Sequence, residues 1–218
     1  MRSIREMQKT IRLIVAQHGR PANYAALGRS LGLSDSGARR RVQNLMAQGM
    51  VMLLPAYTQG IEKKRRKTPR IFLCRTDPVV AALVPCIPEV EIEPLIRLEK
   101  RNHASGQLYH YSTYPGLGVE LVVARARYRF GIICVQTEFF RRSRVKWLPR
   151  ARKEGIIQRG FVLHPGQRGF YVERDLVAVP CRIFMTIYDE ITHEDITNTE
   201  LHLYFKWINR ALIDWWGD

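Results

Sequence analysis

The sequence lacks any apolar run approaching the roughly 18 residues that a membrane-spanning helix requires. Its first residues, Met1 to Thr10, are polar and mixed in charge, unlike the apolar centre of a secretory signal peptide. We therefore expect a cytoplasmic protein with no membrane partner.

Signatures of metal and nucleotide binding are also missing. The 218 residues include four cysteines without a C-x-x-C pair, which argues against a zinc ribbon or a disulfide framework. The six histidines show no metal-ligand spacing, and no G-x-x-x-x-G-K-[ST] segment is present to cradle a triphosphate. The cysteines are expected to be buried thiols: Cys74, Cys86, Cys134 and Cys181. No cofactor is expected.

Acidic residues are scarce in the N-terminal part of the chain. The hydrophobic content of the whole chain, 46%, is that of a folded protein. Lys and Arg number 35 against 20 Asp and Glu, a formal charge of +15. Residues 1–84 hold 16 basic and 4 acidic residues, whereas residues 85–218 hold 19 and 16. Because prolines between Pro85 and Pro94 break any continuous helix, we predict two domains, 1–84 and 85–218. A protein surface with this much positive charge attracts polyanions such as nucleic acid.

The first domain is predicted to be a winged helix. Apolar residues recur at helical spacing from Ile4 to Val15, and the helix stops at Gly19-Arg20-Pro21. A short helix over 24–31 is followed by Gly32-Leu33 and by Ser34, a good N-cap for a third helix that ends near Gly49. A short helix, a glycine-containing turn and a longer helix form a helix-turn-helix.

The outer face of the third helix is the predicted DNA-reading surface. One face is apolar and should pack inward: Ala38, Val42, Leu45 and Met46. The opposite face carries side chains able to reach base edges in a major groove: Ser36, Arg40, Gln43 and Asn44. Arg39 and Arg41 flank them where phosphates would lie. Any amphipathic helix has a polar outer face, but three consecutive arginines favour DNA contact.

Two predicted strands, 50–56 and 70–74, bracket a basic connection. The predicted phosphate contacts there are Lys63, Lys64, Arg65, Arg66, Lys67 and Arg70. A hairpin after a helix-turn-helix is a wing that runs along a phosphate backbone or enters a minor groove. The alternative is a solvated basic loop or a localisation tag. We favour a phosphate clamp, because five adjacent cations repel one another without an anion nearby.

These pieces resemble a known architecture. Segments 27–34, 41–51, 54–57 (Leu-Pro-Ala-Tyr) and 67–73 (Lys-Thr-Pro-Arg-Ile-Phe-Leu) look like the winged helix that follows the ATPase core in a large group of prokaryotic AAA-type ATPases. In that group the winged helix leads into a domain of unknown function that resembles PD-(D/E)XK nucleases, and the likeness covers about residues 23–183. The resemblance implies an α/β (α+β) chain with a winged helix and a nuclease-like mixed sheet, to which a C-terminal helix is added.

The nuclease-like site departs from the pattern that this resemblance implies. Glu120 lies on the strand of the family's first acidic residue, but Cys134 and Gln136 stand where the family has Glu-x-Lys. A hard divalent cation disfavours a thiol, and a glutamine cannot act as a base. Glu93 and Glu138 are further carboxylates, since period-two alternation places Glu138 on the face of Cys134. We expect no enzymatic activity and no bound metal; the alternative is a metal-dependent DNA nuclease using Glu93, Glu120 and Glu138.

A second basic cluster consists of Arg141, Arg142, Arg144 and Lys146, next to Trp147. The cluster could track a phosphate backbone while the indole stacks on a base. It could equally be the solvated side of a helix that packs on the sheet through Val145, Trp147 and Leu148. The sequence leaves both interpretations open.

Residues 197–216 predict an amphipathic C-terminal helix with more aromatic residues than one core can cover. We expect part of it to form a homodimer or partner interface.

Together these patterns predict a double-stranded DNA-binding protein, cytoplasmic and nucleoid-associated, with a catalytically dead nuclease-like domain. By analogy it is expected to be a regulator or accessory factor of a prokaryotic mobile element or defence system. Two alternatives stay open. One is a nucleic-acid-binding subunit of a larger ribonucleoprotein or transposition complex, with an RNA or protein partner; the other is an autorepressing antitoxin.

Overall fold

The chain divides into two compact units, residues 1–87 (unit 1) and residues 88–218 (unit 2). The computed structural model describes residues 2–58, 68–74, 77–83, 92–102, 106–112, 118–125, 128–192, 197, 199, 200 and 203. The predicted domain boundary between residues 84 and 85 lies outside the described residues.

Unit 1 combines helices with a small antiparallel sheet. Its described elements are α1 (Arg2–Val15), β1 (Arg20–Pro21), α2 (Tyr24–Leu31), α3 (Asp35–Ala47), β2 (Val51–Leu54), β3 (Arg70–Leu73) and α4 (Pro78–Leu83). β3 lies between β1 and β2 and is antiparallel to both. The predicted helices and hairpin strands of this unit are confirmed, with ends shifted by a few residues.

The turn between α2 and α3 follows from local capping. The Asn23 side chain accepts the Ala26 N–H (3.0 Å) at the start of α2, and Gly32 ends that helix in the left-handed region at φ 67°. The Ser34 hydroxyl accepts the Gly37 N–H (3.2 Å) and begins α3. The three helices then share one buried core, which includes Ile11, Ile14, Leu27, Ala38, Val42, Leu45, Ile71 and Leu73.

Unit 2 is built on a six-stranded mixed sheet. Its described elements are α5 (Ile92–Asn102), β4 (Gln107–Ser112), β5 (Gly118–Arg125), β6 (Tyr128–Cys134), α6 (Arg142–Val145), α7 (Trp147–Lys153), β7 (Arg159–His164), β8 (Phe170–Glu173), β9 (Leu176–Pro180), α8 (Cys181–Thr186) and α9 (Tyr188–Ile191). The strand order is β4-β5-β6-β7-β9-β8. The β4-β5-β6 part is antiparallel, β6, β7 and β9 run parallel, and β8 is an antiparallel edge. The predicted α+β class with a mixed sheet is therefore confirmed.

Two irregularities of this sheet affect the candidate site. The pairing of β4 with β5 shifts between Tyr109 and Tyr111, so that His110 faces two residues, Glu120 and Leu121. β6 ends at Cys134, and residues 136–139 form bends. Gln136 therefore lies beyond the strand, and the period-two alternation that was expected to place Glu138 on the face of Cys134 does not extend that far.

A buried ion pair ties three elements of unit 2 together. Glu99 of α5 is fully buried and accepts hydrogen bonds from Arg125 Nε (2.8 Å) and Arg125 Nη2 (2.5 Å) of β5. The Tyr188 hydroxyl of α9 also donates to Glu99 (2.6 Å). Burial, followed by the neighbouring Glu99 carboxylate, raises the pKa of Tyr188, so its hydroxyl stays protonated as a donor.

Other predictions meet the structure only in part. Cys74 and Cys134 are buried thiols and Cys181 is half-buried, while Cys86 lies outside the described residues. The predicted C-terminal helix over 197–216 also lies outside them, apart from residues 197, 199, 200 and 203. Within the described ranges, no helix has both the length and the apolar character needed to cross a bilayer.

Candidate nucleic-acid interface

α3 has a buried face and a polar exposed face, as predicted. Ala38, Val42 and Leu45 are buried against α1, α2 and the small sheet. Met46 is an exception: it was expected to pack with them but is 37% exposed. The exposed face contains Ser36, Arg39, Arg40, Gln43 and Asn44.

Three of these residues project into solvent. In the part of the chain that the structure describes, the side chains of Arg40, Gln43 and Asn44 make no hydrogen bond or ion pair. They lie at i, i+3 and i+4 of one helix, so they occupy neighbouring positions on one face. Guanidinium and amide groups are the side chains that form paired hydrogen bonds with guanine and adenine edges.

Ser36 and Arg39 contact neighbouring side chains. The Ser36 hydroxyl lies 3.0 Å from that of Ser34, next to the helix cap. The Arg39 guanidinium carbon lies 4.3 Å from the centre of the Tyr24 ring, a cation–π contact between α3 and α2. Burial raises the pKa of Tyr24, and the Arg39 charge partly opposes that rise. Arg39 remains exposed and holds a fixed positive charge at the rim of the face.

Arg41 is paired within the protein. Its guanidinium donates to the Glu6 carboxylate of α1 (2.9 Å), and its side chain is partly covered. Arg41 was predicted to flank the reading face as a phosphate contact; both side chains of its ion pair with Glu6 are partly exposed, and the phosphate contact stays a prediction. Arg41 therefore joins α3 to α1.

The basic connection gives one correction. Lys63, Lys64, Arg65, Arg66 and Lys67 lie between β2 and β3, outside the described residues. Arg70 begins β3, the central strand between β1 and β2, and is only 9% exposed. It was predicted to contact phosphate, but its guanidinium is too buried for that role.

In unit 2 the structure brings Glu120 and Cys134 together on adjacent strands. The Glu120 carboxylate accepts the backbone N–H of Cys134 (2.8 Å). Gln136 is exposed beyond the strand end, and Glu138 lies half-buried against Gly166. Glu93 is in α5, but its side chain lies outside the described part of the structure. The candidate ligands are thus the Glu120 carboxylate, which already accepts a backbone N–H, the Cys134 thiol and the Gln136 side-chain amide. A hard divalent cation prefers several oxygen ligands, so this set does not fit one. Among the described residues, no three His, Cys, Asp or Glu side chains cluster as metal ligands.

The second basic cluster is exposed, but its tryptophan is not. Arg141, Arg142, Arg144 and Lys146 all reach solvent. Trp147 is only 9% exposed and packs with Val145 and Leu148, where α7 covers β5, β6 and β7. The Arg150 guanidinium carbon lies 5.2 Å from the indole centre. The packing interpretation is therefore the one that fits Trp147, which cannot stack on a base.

Sequence reasoning missed two features of unit 2. Phe139, within the bend after β6, is 91% exposed. His110 is fully buried, and its Nδ1 lies 3.0 Å from the hydroxyl of the buried Ser112. No periodicity marks Phe139, and the run Phe-Phe-Arg-Arg at 139–142 was the only available signal.

Comparisons with known proteins extend this description for unit 1 alone. Residues 1–83 match the family model of DUF8612, a domain of unknown function. Neither the curated proteins nor the solved structures gave a significant match to the chain. The N-terminal part is thus similar to a domain whose role is open.

Proposed function

We propose that this chain is a double-stranded DNA-binding protein that reads base edges with α3. The observation that carries the proposal is the exposed set Arg40, Gln43 and Asn44 on a helix whose other face is buried. The order of three helices followed by an antiparallel hairpin supports a winged-helix interpretation, with α3 as the recognition helix.

The charge of unit 1 supports the same proposal. Arg39 contacts the Tyr24 ring beside the α3 face, and we expect it to contact a phosphate there. The cations at 63–67 add a predicted clamp on the connection that follows. Phosphate contacts position the protein, while α3 supplies the sequence preference.

Unit 2 is proposed as a nuclease-like module that does not cleave. Cys134 and Gln136 at the expected metal and base positions, and the hydrogen bond that occupies Glu120, support this part. The exposed cluster of Arg141, Arg142, Arg144 and Lys146 makes it a second DNA-contacting surface. A regulatory or accessory role in a prokaryotic mobile element or defence system, in the cytoplasm at the nucleoid, is the biological setting we propose.

The test is a selection from random duplexes. Bound DNA is sequenced after selection with the wild-type protein and with Arg40→Ala and Asn44→Ala variants. We expect a defined preference for the wild type and relaxation at one or two base pairs for each variant. Each lost base contact should remove about 1–3 kcal/mol of discrimination.

Arg182→Ala is the matched control for lost charge. Arg182 is an exposed arginine of α8 in unit 2, so this variant loses one positive charge and leaves α3 intact. It should select the same sequences as the wild type. Random sequences recovered with the wild type, or an unchanged preference in both α3 variants, would contradict the proposed reading by α3.

A further inference from the structure

Two loops lie side by side at one end of the parallel strands in unit 2. β6 and β7 run parallel, with Cys134 paired to Leu163, so the segments that follow them leave the sheet at the same edge. The Val135 N–H donates to the Leu163 carbonyl (2.8 Å). Gly166 packs so closely on Glu138 that an added Cβ would lie 2.4 Å from its carboxyl carbon. Segments 136–141 and 165–170 therefore form one surface, at the edge where sheets with parallel strands commonly bind ligands.

Phe139 projects from this surface, and the neighbouring rings contact each other; of these, Phe170 is 40% exposed. Phe140 stacks on Phe170, with ring centres 6.0 Å apart, and Phe170 lies 5.7 Å from the ring of the buried His164. The Thr137 hydroxyl donates to the Phe139 carbonyl (3.0 Å) and fixes the bend. Phenylalanine side chains are usually buried, whereas this ring is 91% exposed on a bend that a hydrogen bond holds in place.

The charge around Phe139 selects the kind of partner. Segments 136–146 and 165–170 contain one acidic residue, Glu138, which is half-buried. They contain five exposed cations: Arg141, Arg142, Arg144, Lys146 and Arg168. An exposed ring beside so many cations matches a polyanion with flat apolar groups, since a base offers a stacking face and its backbone offers phosphates.

We propose that Phe139 stacks on an unpaired DNA base while Arg141 and Arg142 hold the adjoining phosphates. This inference rests on the proposed function and deepens it, because it assigns to unit 2 the recognition of an unpaired base, which α3 does not read. A protein that grips a duplex with unit 1 would then recognise an opened or extruded nucleotide with unit 2.

The experiment uses the full chain and a short single-stranded DNA containing one 5-iodouracil. Irradiation cross-links this base to an aromatic ring stacked on it, and mass spectrometry locates the cross-link. We expect the cross-link at Phe139. Phe139→Leu should abolish it and weaken single-strand binding by about 5- to 150-fold, the range expected for one stacked base. Phe139→Tyr should keep both.

A fully paired duplex of the same sequence serves as the control. Because Phe139 is exposed, the Leu variant should keep the fold, which an unchanged far-UV circular dichroism spectrum verifies, and it should bind the duplex as the wild type does. Normal duplex preference with no cross-link at Phe139, or with unchanged single-strand affinity in Phe139→Leu, overturns the stacking proposal alone. A wild-type protein that binds neither DNA overturns the proposed function as well.

Discussion

Gly28, inside α2, has no room for a methyl group. A Cβ at this position would lie 2.6 Å from the Leu33 carbonyl oxygen and 3.3 Å from that of Ser34. Both are backbone atoms of the turn before α3, so they cannot move aside without shifting the helix. We predict that Gly28→Ala lowers the free energy of unfolding of unit 1 by about 1–3 kcal/mol. Hydrogen exchange of the α2 and α3 amides measures it.

Gly37 is the matched control, because it also lies in a helix of unit 1. A Cβ there would meet only the Leu33 and Ser34 side chains, at 3.4 Å. Gly37→Ala should stabilise α3 by up to about 1 kcal/mol, since alanine has the higher helix propensity. Equal effects of the two substitutions would mean that propensity, and not the close approach at Gly28, decides the outcome.

Sequence analysis could predict which arginines of α3 face outward but not what they contact. Helical periodicity alone places Arg39, Arg40 and Arg41 outside the core face. The partner of Arg41, Glu6, lies 35 residues away in the chain, and only the packing of α1 on α3 brings the two together. The burial of Arg70 could not be predicted for the same reason, because it depends on tertiary packing and not on the local sequence.

At the scale of elements, α5, β5 and α9 depend on the ion pair of Glu99 with Arg125. We predict that Arg125→Met destabilises unit 2 by about 3–5 kcal/mol, because the Glu99 carboxylate is then buried without its cation. Glu99→Gln in the Arg125→Met background should recover part of this loss. All four tryptophans of the chain lie in unit 2, so tryptophan fluorescence during urea unfolding reports on this unit alone.

Arg150→Met is the matched control for that substitution. Arg150 pairs with Glu154 at i,i+4 on the exposed side of α7 (2.9 Å), where water screens the pair. Little change in the urea midpoint is expected. A loss as large as that of Arg125→Met would show that burial of the ion pair is not what matters.

Elements with strong local signals were predictable, and their ends were less so. The Ser34 cap and the αL Gly32 are encoded locally, and so the turn between α2 and α3 was predicted from sequence. The end of β6 at Cys134 was not, because the apolar run continues into Val135 while the pairing stops. The sequence could not decide whether the Trp147 indole is buried or exposed. A basic helix that buries its aromatic ring has the same residue pattern as an exposed aromatic ring among cations.

On the scale of the whole molecule, each unit contains a half-buried or buried histidine that must stay neutral. His18 Nδ1 accepts the Leu73 N–H in unit 1, and His164 Nδ1 accepts the Gly166 N–H in unit 2, both at 3.1 Å. Burial lowers the pKa of each, although the nearby Glu138 charge partly opposes this at His164. A protonated Nδ1 could not accept these hydrogen bonds.

We therefore predict that acid weakens both units. The unfolded chain binds these protons with a pKa near 6.5 and the folded chain binds them only at lower pH, so stability is full above that value and falls below it. Hydrogen exchange compared at pH values above and below 6.5 should show the loss in both units. His18→Gln, whose amide oxygen can accept the Leu73 N–H without titrating, should flatten the pH dependence in unit 1 only.

The contact between Tyr24 and Arg39 has a kinetic consequence for the whole protein. A free arginine side chain loses rotational entropy equivalent to up to about 2 kcal/mol when it is immobilised. Because the Tyr24 ring already restricts Arg39, part of that entropy is lost during folding and not when a phosphate is bound. Complexes formed through this arginine should therefore be long-lived, with a slow dissociation rate that replacing Tyr24 by leucine would increase.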